Sequence, residues 1–470
     1  MPFINSFSEL FHTRSEYNSE EARAYLAGLM AGKRGAKNME RMEEDVPDFH
    51  YQRVHNFISH SPWDHRAVID EVARRADGLL GGAPRTRVVI DESGFEKKGS
   101  ESVGVARQYN GRLGKVENSQ VAVFSSLAAG QQSTLVDARL YLPQEQWCQD
   151  EERCRKAGIP QEQRVFRTKP QLALESIRHL RQLGVHFHVV SADSGYGSDN
   201  AFLHELDGDG EIFVAEVHCD QHIWTEAPWP HQEGARAGKP RKTPKASHPS
   251  QRVDHWAAAQ QETDWRRLKV RDSDQGWVEV NYLARRVWLL HNGESKLWWL
   301  LVWENPDESS NDGSKKKLPR RHYALSNAPA DEDPRVLVTD GVQRNTVERN
   351  FRDAKTEVGM ADYQTRGWRA WHHHMALVMM AMLFLTQEKM HSPRPQTVEG
   401  PVNITAGDVT FILERMLPRR AHGPVNASEV KRLLEARVAN RVKDQVRRRR
   451  KDREIRPVLW ADEVLSEMTK

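Results

Sequence analysis

The sequence predicts a mixed α/β sheet flanked by helices, and three observations carry that prediction. Short β-rich runs separated by glycine-containing turns begin at Arg87; apolar strands alternate with helical stretches from about Asp150; and helical periodicity marks the segments before residue 83 and after residue 336. Strands joined by tight turns pair antiparallel, whereas strands joined through helices are usually parallel, so the order β-β-β-α-β-α-β implies a mixed sheet.

Residues 1–82 read as a helical domain, in which Ser19 is placed to cap a helix through Ala22, Leu26 and Leu29, and another apolar-periodic stretch follows Trp63. The runs RVVIDES, ESVGVARQYN and SQVAVFSSLA supply three strands in hairpin order, with Asn110-Gly111 as one turn. A charged helix near 150–157 and a stronger one from Pro170 to Leu183 lead into HFHVVSADSGYG, an apolar strand that stops on an acid and glycines. A short helix over 200–206 and the strand IFVAEV complete the first part of a core, 83–220. The stretch His231 to Arg252, with six Lys or Arg and one Glu, reads as an exposed loop. Beyond it WVEVNYLARRVWLL and KLWWLLVWE lie where nine of the fourteen tryptophans fall, so 221–335 is expected to be a β-rich, Trp-containing insertion subdomain. After a polar linker near Ser309 to Lys317, helical patterns from near Asp340 and from Trp368 to Met390 form the second part of the core, 336–392. The Pro-rich SPRPQTVEGP then separates a basic helical region, 402–470.

Composition narrows the class. With 38% hydrophobic and 29% charged residues over 470 positions, the chain is long enough for a sizeable core and is neither wholly disordered nor membrane-embedded. The longest apolar run, Met375 to Leu385, is far short of the ~20 residues of a membrane span. The first residues lack the basic segment and apolar stretch of a secretory signal, so a cytoplasmic location is expected. Cys148, Cys154 and Cys219 cannot form a disulfide framework or a zinc-finger spacing and are expected as reduced, buried thiols. The whole-chain net charge is only +3, yet Arg419 to Arg456 holds fourteen Lys and Arg against five Asp and Glu. That segregation, culminating in Arg447, Arg448, Arg449, Arg450 and Lys451, suits contact with a phosphate backbone.

Asp91 ends the apolar run RVVID, and Asp193 ends FHVVSAD. Acids at the carboxyl ends of neighbouring strands converge on one crevice in an α/β sheet, although each would serve equally well as a turn aspartate capping backbone N–H groups. A third element tips the balance: Arg344, Glu348, Phe351 and Lys355 are spaced four, three and four apart, on one helical face. Phe351 is expected to pack on the sheet while Glu348 points at the strand ends; an ordinary surface charge ladder is the competing reading. Three carboxylates from three elements suit two Mg²⁺ ions, with Mn²⁺ able to substitute, in an in-line displacement at phosphorus. His372, His373 and His374 point about 100° apart in a helix and make a poor metal site.

These residues carry a resemblance. IDESGFEKKGSESVGVARQYNGRLGKVENSQVAVF, SADSGYG and VERNFRDAKTEVGM with the following YQTRGWRAWHHHMALVMMAMLFL resemble the three blocks of an insertion-sequence DDE transposase with an RNase H-like catalytic core. Within that family the pattern is similar to the insertion sequence 701 group, related to the branch with a Tyr-Arg-Glu-Lys signature. The resemblance implies Asp91, Asp193 and Glu348 as the catalytic, metal-binding acids, and Arg344 and Lys355 as contacts to transposon-end DNA. Gly341 stands where the branch has tyrosine. The resemblance also implies end cleavage and transfer of 3′-hydroxyls to target DNA, recognition of terminal inverted repeats by the N-terminal helices, and a homodimer on paired ends. A tryptophan of the insertion stacks on a flipped base in hairpin-forming relatives, but core packing is the expected fate of Trp288, Trp298, Trp299 and Trp303. Two other readings compete: a domesticated DNA-binding regulator, and a Mg²⁺-dependent nuclease without strand transfer.

Overall fold

The computed structural model describes residues 2–14, 17–111, 114–228, 246–273, 276–292, 294–309, 319–392, 396–397, 400–401, 404–417, 431–432, 434–439, 441–443 and 446. Arg447 to Lys451 lie outside the described residues.

The chain opens with helices α1 (Pro2–Asn5), α2 (Ser19–Ala31), α3 (Met39–Asp45), α4 (Tyr51–Ser59) and α5 (His65–Leu80). Ser19 is the first residue of α2 rather than its cap; the preceding Asn18 turns its amide to Phe11 O and Ser61 Oγ, tying the helix start to neighbouring turns. Strands β1 (Arg87–Glu96), β2 (Ala106–Asn110), β3 (Lys115–Ala129) and β4 (Gln132–Leu140) follow. The fourth was not expected. Its sequence, QSTLVDARL, buries Ser133, Thr134 and Asp137, which blurs the apolar alternation. Asp137 is fully buried because Arg66 at 2.6 Å and Arg139 at 3.0 Å neutralise it.

Helices α6 (Glu151–Lys156) and α7 (Lys169–Gln182) precede β5 (Val189–Ala192), the short α8 (Ser194–Gly197), α9 (Asn200–Gly208) and β6 (Phe213–Glu216). Short pieces β7 (His222–Ile223), β8 (Gln251–Arg252) and α10 (Val253–Ala258) lead to β9 (Arg266–Ser273), β10 (Gly276–His291), β11 (Glu294–Ser309) and β12 (Pro319–Ser326). Three helices complete the main body: α11 (Pro334–Val342), α12 (Thr346–Glu357) and α13 (Trp368–His391). A further helix, α14 (Ala406–Met416), packs on α2 and α13.

One ten-stranded sheet runs β2-β3-β1-β5-β6-β12-β11-β10-β9, with β4 also on β3. β1 pairs antiparallel with β3 but parallel with β5, and β5 pairs parallel with β6. This mixed sheet flanked by helices is compatible with an RNase H-like fold. The Trp-rich strands continue the same sheet, because β12 pairs antiparallel with β6. Trp298, Trp299 and Trp303 are buried, whereas Trp288 is half-buried and bridges by backbone to Trp224.

A continuous buried cluster links the N-terminal helices, the sheet and α13. α13 is apolar almost all round and is buried over most of its length. Its three histidines are core residues. His373 stacks on Trp63 with ring centres 3.8 Å apart and lies between Ile58 O and Trp63 O, while His374 meets the Tyr25 hydroxyl at 2.8 Å. Burial holds His372 well below the usual histidine range and lowers His373 and His374 to about 3, so the trio is neutral. Cys154 is buried as expected and Cys148 half-buried, but Cys219 is exposed because the short link between β6 and β7 runs over the surface. No described helix is long and apolar enough to cross a membrane.

Candidate active site

The sheet register brings the acids to one level. Val88, Val89 and Ile90 are wholly buried, and Ile90 is the register partner of Ala192 on β5. Asp91 and Asp193 are the next residues on these adjacent parallel strands, which lie ~4.8 Å apart. Ala192 in turn partners Ala215 on β6, so Glu216 reaches the same level one strand further out. Asp193 also caps α8, accepting from Gly195 N–H at 3.0 Å. The capping of backbone N–H groups expected of such a turn aspartate is therefore present.

Close packing holds the SADSGYG turn in place. A Cβ on Gly197 would sit 2.0 Å from Glu216 O, so only glycine lets α8 lie against the end of β6. Tyr196 is buried near Glu92, Asp91 and Asp193, and its hydroxyl has no hydrogen-bond partner among the described residues.

α12 carries the third acid. Phe351 is buried and meets Phe124 of β3 edge-on, with ring centres 5.4 Å apart, so one face of the helix is anchored to the sheet as expected. The helix begins later than its periodicity suggests. Arg344 belongs to a 3₁₀ turn, Gln343–Asn345, ahead of α12, yet it still faces Glu348. From that turn its guanidinium lies 3.6 Å from Asp91, 2.9 Å from Glu216 and 3.8 Å from Glu348. Lys355, two helical turns beyond Glu348, donates to Gly94 O at 3.4 Å and lies over the Phe95 ring. It is thus set along β1, three residues past Asp91.

Electrostatics mark the same place. Burial, then the charge of Asp193, push the Asp91 carboxyl up to about 7, against Arg344 and the Glu92 N–H; Glu348 adds to the rise. Burial also opposes the charge on Glu216, but His322 and Arg344 hold that carboxyl below its usual range. Among the described residues no group of three His, Cys, Asp or Glu side chains converges closely enough to hold an ion, and Arg344 stands between Asp91 and Glu348.

Two neighbours escaped the sequence reading. Glu216 ends an apolar strand, IFVAE, in the same way that Asp91 and Asp193 end theirs, and that was its signal. His322 gave none, since only the pairing of β12 with β6 brings its Nδ1 within 3.3 Å of Glu216. Glu92 points away from the cluster to Lys169, at 2.7 Å, as strand alternation requires. Lys97 packs its ammonium 3.6 Å from the centre of the Tyr363 ring.

Comparison with known proteins now decides the family. A family model described as DDE superfamily endonuclease matches residues 6–276, more than half of the chain. The chain belongs to the DDE superfamily endonuclease family. That match contains Asp91 and Asp193 and ends before Glu348. This family member is also similar to a probable transposase for insertion sequence element IS701 from Microchaete diplosiphon, 32% identical over 174 residues. The alignment covers 37% of this chain and 42% of that relative, less than half of each.

Proposed function

We propose that this DDE-family chain is a DNA transposase that binds the terminal inverted repeats of its element, cleaves the ends and joins the freed 3′-hydroxyls to target DNA. The observation that carries the reading is the placement of Asp91 and Asp193 at adjacent parallel strand ends, with Arg344 between them and α12, 3.6 Å from Asp91 and 3.8 Å from Glu348.

The donor set fits hard divalent cations. Carboxylate oxygens are the preferred ligands of Mg²⁺, and Mn²⁺ accepts the same set. Asp91 and Asp193 repel each other in a largely desolvated setting, Arg344 supplies the positive charge there, and the Tyr196 hydroxyl is a buried polar atom without a partner among the described residues. Asp91, Asp193 and Glu348 would hold two Mg²⁺ ions. Bound in such a cluster, the ions supply Lewis acidity to the attacking and leaving oxygens of an in-line displacement at phosphorus.

The protein's own residues orient the DNA. Arg344 presents a planar guanidinium, suited to two phosphate oxygens at once, beside the acids. Lys355 offers a second cation ~10 Å further along α12, given a rise of about 1.5 Å per residue. We assign terminal-repeat recognition to the helical region 1–82 with the basic region 402–470, including Arg447, Arg448, Arg449, Arg450 and Lys451. Work on two ends at once implies a homodimer on paired DNA ends in the cytoplasm or nucleoid.

The test uses purified protein, Mg²⁺ and a labelled duplex carrying the genomic element's end, beside Asp91→Ala, Asp193→Ala and Glu348→Ala. Nicks at the element boundary followed by joined products, absent from all three variants, are expected. Specific binding without cleavage would replace this reading with a DNA-binding regulator, and cleavage without joining with a nuclease.

A further inference from the structure

We propose, on the reading of this site as a DNA-cleaving centre, that Glu216 is a positioning residue that fixes Arg344 among the acids. Each of its carboxylate oxygens has a protein partner: Oε1 accepts from Arg344 Nε at 2.9 Å, and Oε2 accepts from His322 Nδ1 at 3.3 Å. Glu216 therefore differs from Asp91 and Asp193, although the register sets it at their level. It is one strand out, and each of its oxygens is bonded to a side chain of the protein.

Arg344 needs such a hold. It sits on a 3₁₀ turn, and Asn345, which precedes α12, makes no side-chain capping bond there. The bond to Glu216 is the only side-chain hydrogen bond of Arg344 among the described residues, since the approaches to Asp91 and Glu348, at 3.6 and 3.8 Å, are longer than hydrogen bonds. Anchoring through Nε leaves both terminal nitrogens directed at the cluster. When the acids are occupied by cations, those nitrogens remain available to a phosphate oxygen while Nε stays tied.

Glu216 is itself braced from the far side. His322 stacks on Trp303 with ring planes 3° apart and centres 5.4 Å apart. Trp303 in turn fills the space in front of Gly341, where a Cβ would meet its ring at 2.8 Å. The brace thus runs from β11 through β12 to the strand end of β6 and ends on the guanidinium.

The experiment compares wild type, Glu216→Ala and Glu216→Gln, with Asp91→Asn as the reference for a lost cation ligand. The first readout needs neither DNA nor metal: modification of Arg344 by phenylglyoxal, located by peptide mass spectrometry. It should be several-fold faster in Glu216→Ala and near the wild-type rate in Glu216→Gln, whose amide oxygen still accepts from Nε. In cleavage of the end duplex, Glu216→Ala should lose about 100-fold in kcat with KM for DNA little changed, and Glu216→Gln should recover most of the loss. The half-saturating Mg²⁺ concentration should stay at the wild-type value in both Glu216 variants and rise in Asp91→Asn. Unchanged Arg344 reactivity in Glu216→Ala would overturn the proposal, as would a rise in the Mg²⁺ requirement matching that of Asp91→Asn. A wild-type protein that cuts no duplex would remove the transposase reading, leaving the phenylglyoxal result to decide the role of Glu216.

Discussion

Asp91 holds its proton to about pH 7 because it is buried beside a second carboxylate. Its folded-state pKa is raised above the unfolded value, so the associated stability is present at low pH and is lost as pH rises through about 7. Without divalent cations, the thermal midpoint of wild type relative to Asp91→Asn should therefore fall between pH 4 and 7 on raising the pH, and added Mg²⁺ should lessen the fall; a pH-independent difference would contradict the desolvation of Asp91 beside Asp193. Glu348 is more open to solvent, with 63% of its side chain exposed. Glu348→Gln is accordingly expected to change stability by no more than ~0.5 kcal/mol while abolishing cleavage and sparing DNA binding, as melting, gel-shift and nicking assays would show. Asp91 and Asp193 stand out in the sequence because an acid closing an apolar run is visible in one dimension, and Glu348 because its spacing from Arg344, Phe351 and Lys355 puts the four on one helical face. Glu216 ends its strand in the same way, but its bond to Arg344 joins a strand end to a turn far along the chain, which no local pattern shows.

Elements place these side chains through two close approaches. Gly197 lets α8 touch the backbone of β6, and Gly341 lets α11 meet the ring of Trp303. Overpacking at such points typically costs ~1–3 kcal/mol, so Gly341→Ala should lower stability by that order, and Trp303→Phe should relieve part of it in the double variant. Additive losses in denaturant melts would show that the two residues do not press on one another. Phe351 acts as the anchor of α12, and Phe351→Ala should cost ~3 kcal/mol and lower the cleavage rate, since the same helix aims Glu348. The periodicity of this helix was legible, but the break at Gln343–Asn345 was not: no proline or glycine marks the turn, and tertiary contacts to Arg344 set its course. β4 was hidden for a different reason, because its buried Asp137 finds its counter-ions on α5 and at Arg139 of its own strand.

At the scale of the molecule, helices read as a separate N-terminal region share their buried surface with α13. Tyr25 bonds to His374, Trp63 stacks on His373, and Arg66 neutralises Asp137. Calorimetry of the full chain should therefore show the N-terminal helices and the sheet melting together, and a chain lacking residues 1–82 should be insoluble; a folded truncated protein would contradict the shared core. The basic run at Arg447–Lys451 belongs to this scale too, through its long-range field. Neutralising Arg447 to Arg450 should reduce the slope of log K against log salt by ~0.9 for each DNA phosphate that the protein ceases to neutralise, and an unchanged slope would assign the run to solvent. The shared core also sets a timetable. The N-terminal helices leave the ribosome well before α13, which ends at His391, about 310 residues after α5 ends at Leu80. At roughly 5–20 residues per second, that delay is about 15–60 s, during which the early helices have one another and, for α5, strands β3 and β4, but lack the helix that closes their core. Glu348 is made within the same interval, so a nascent chain carries neither a finished interior nor the third acid until α12 and α13 have been made.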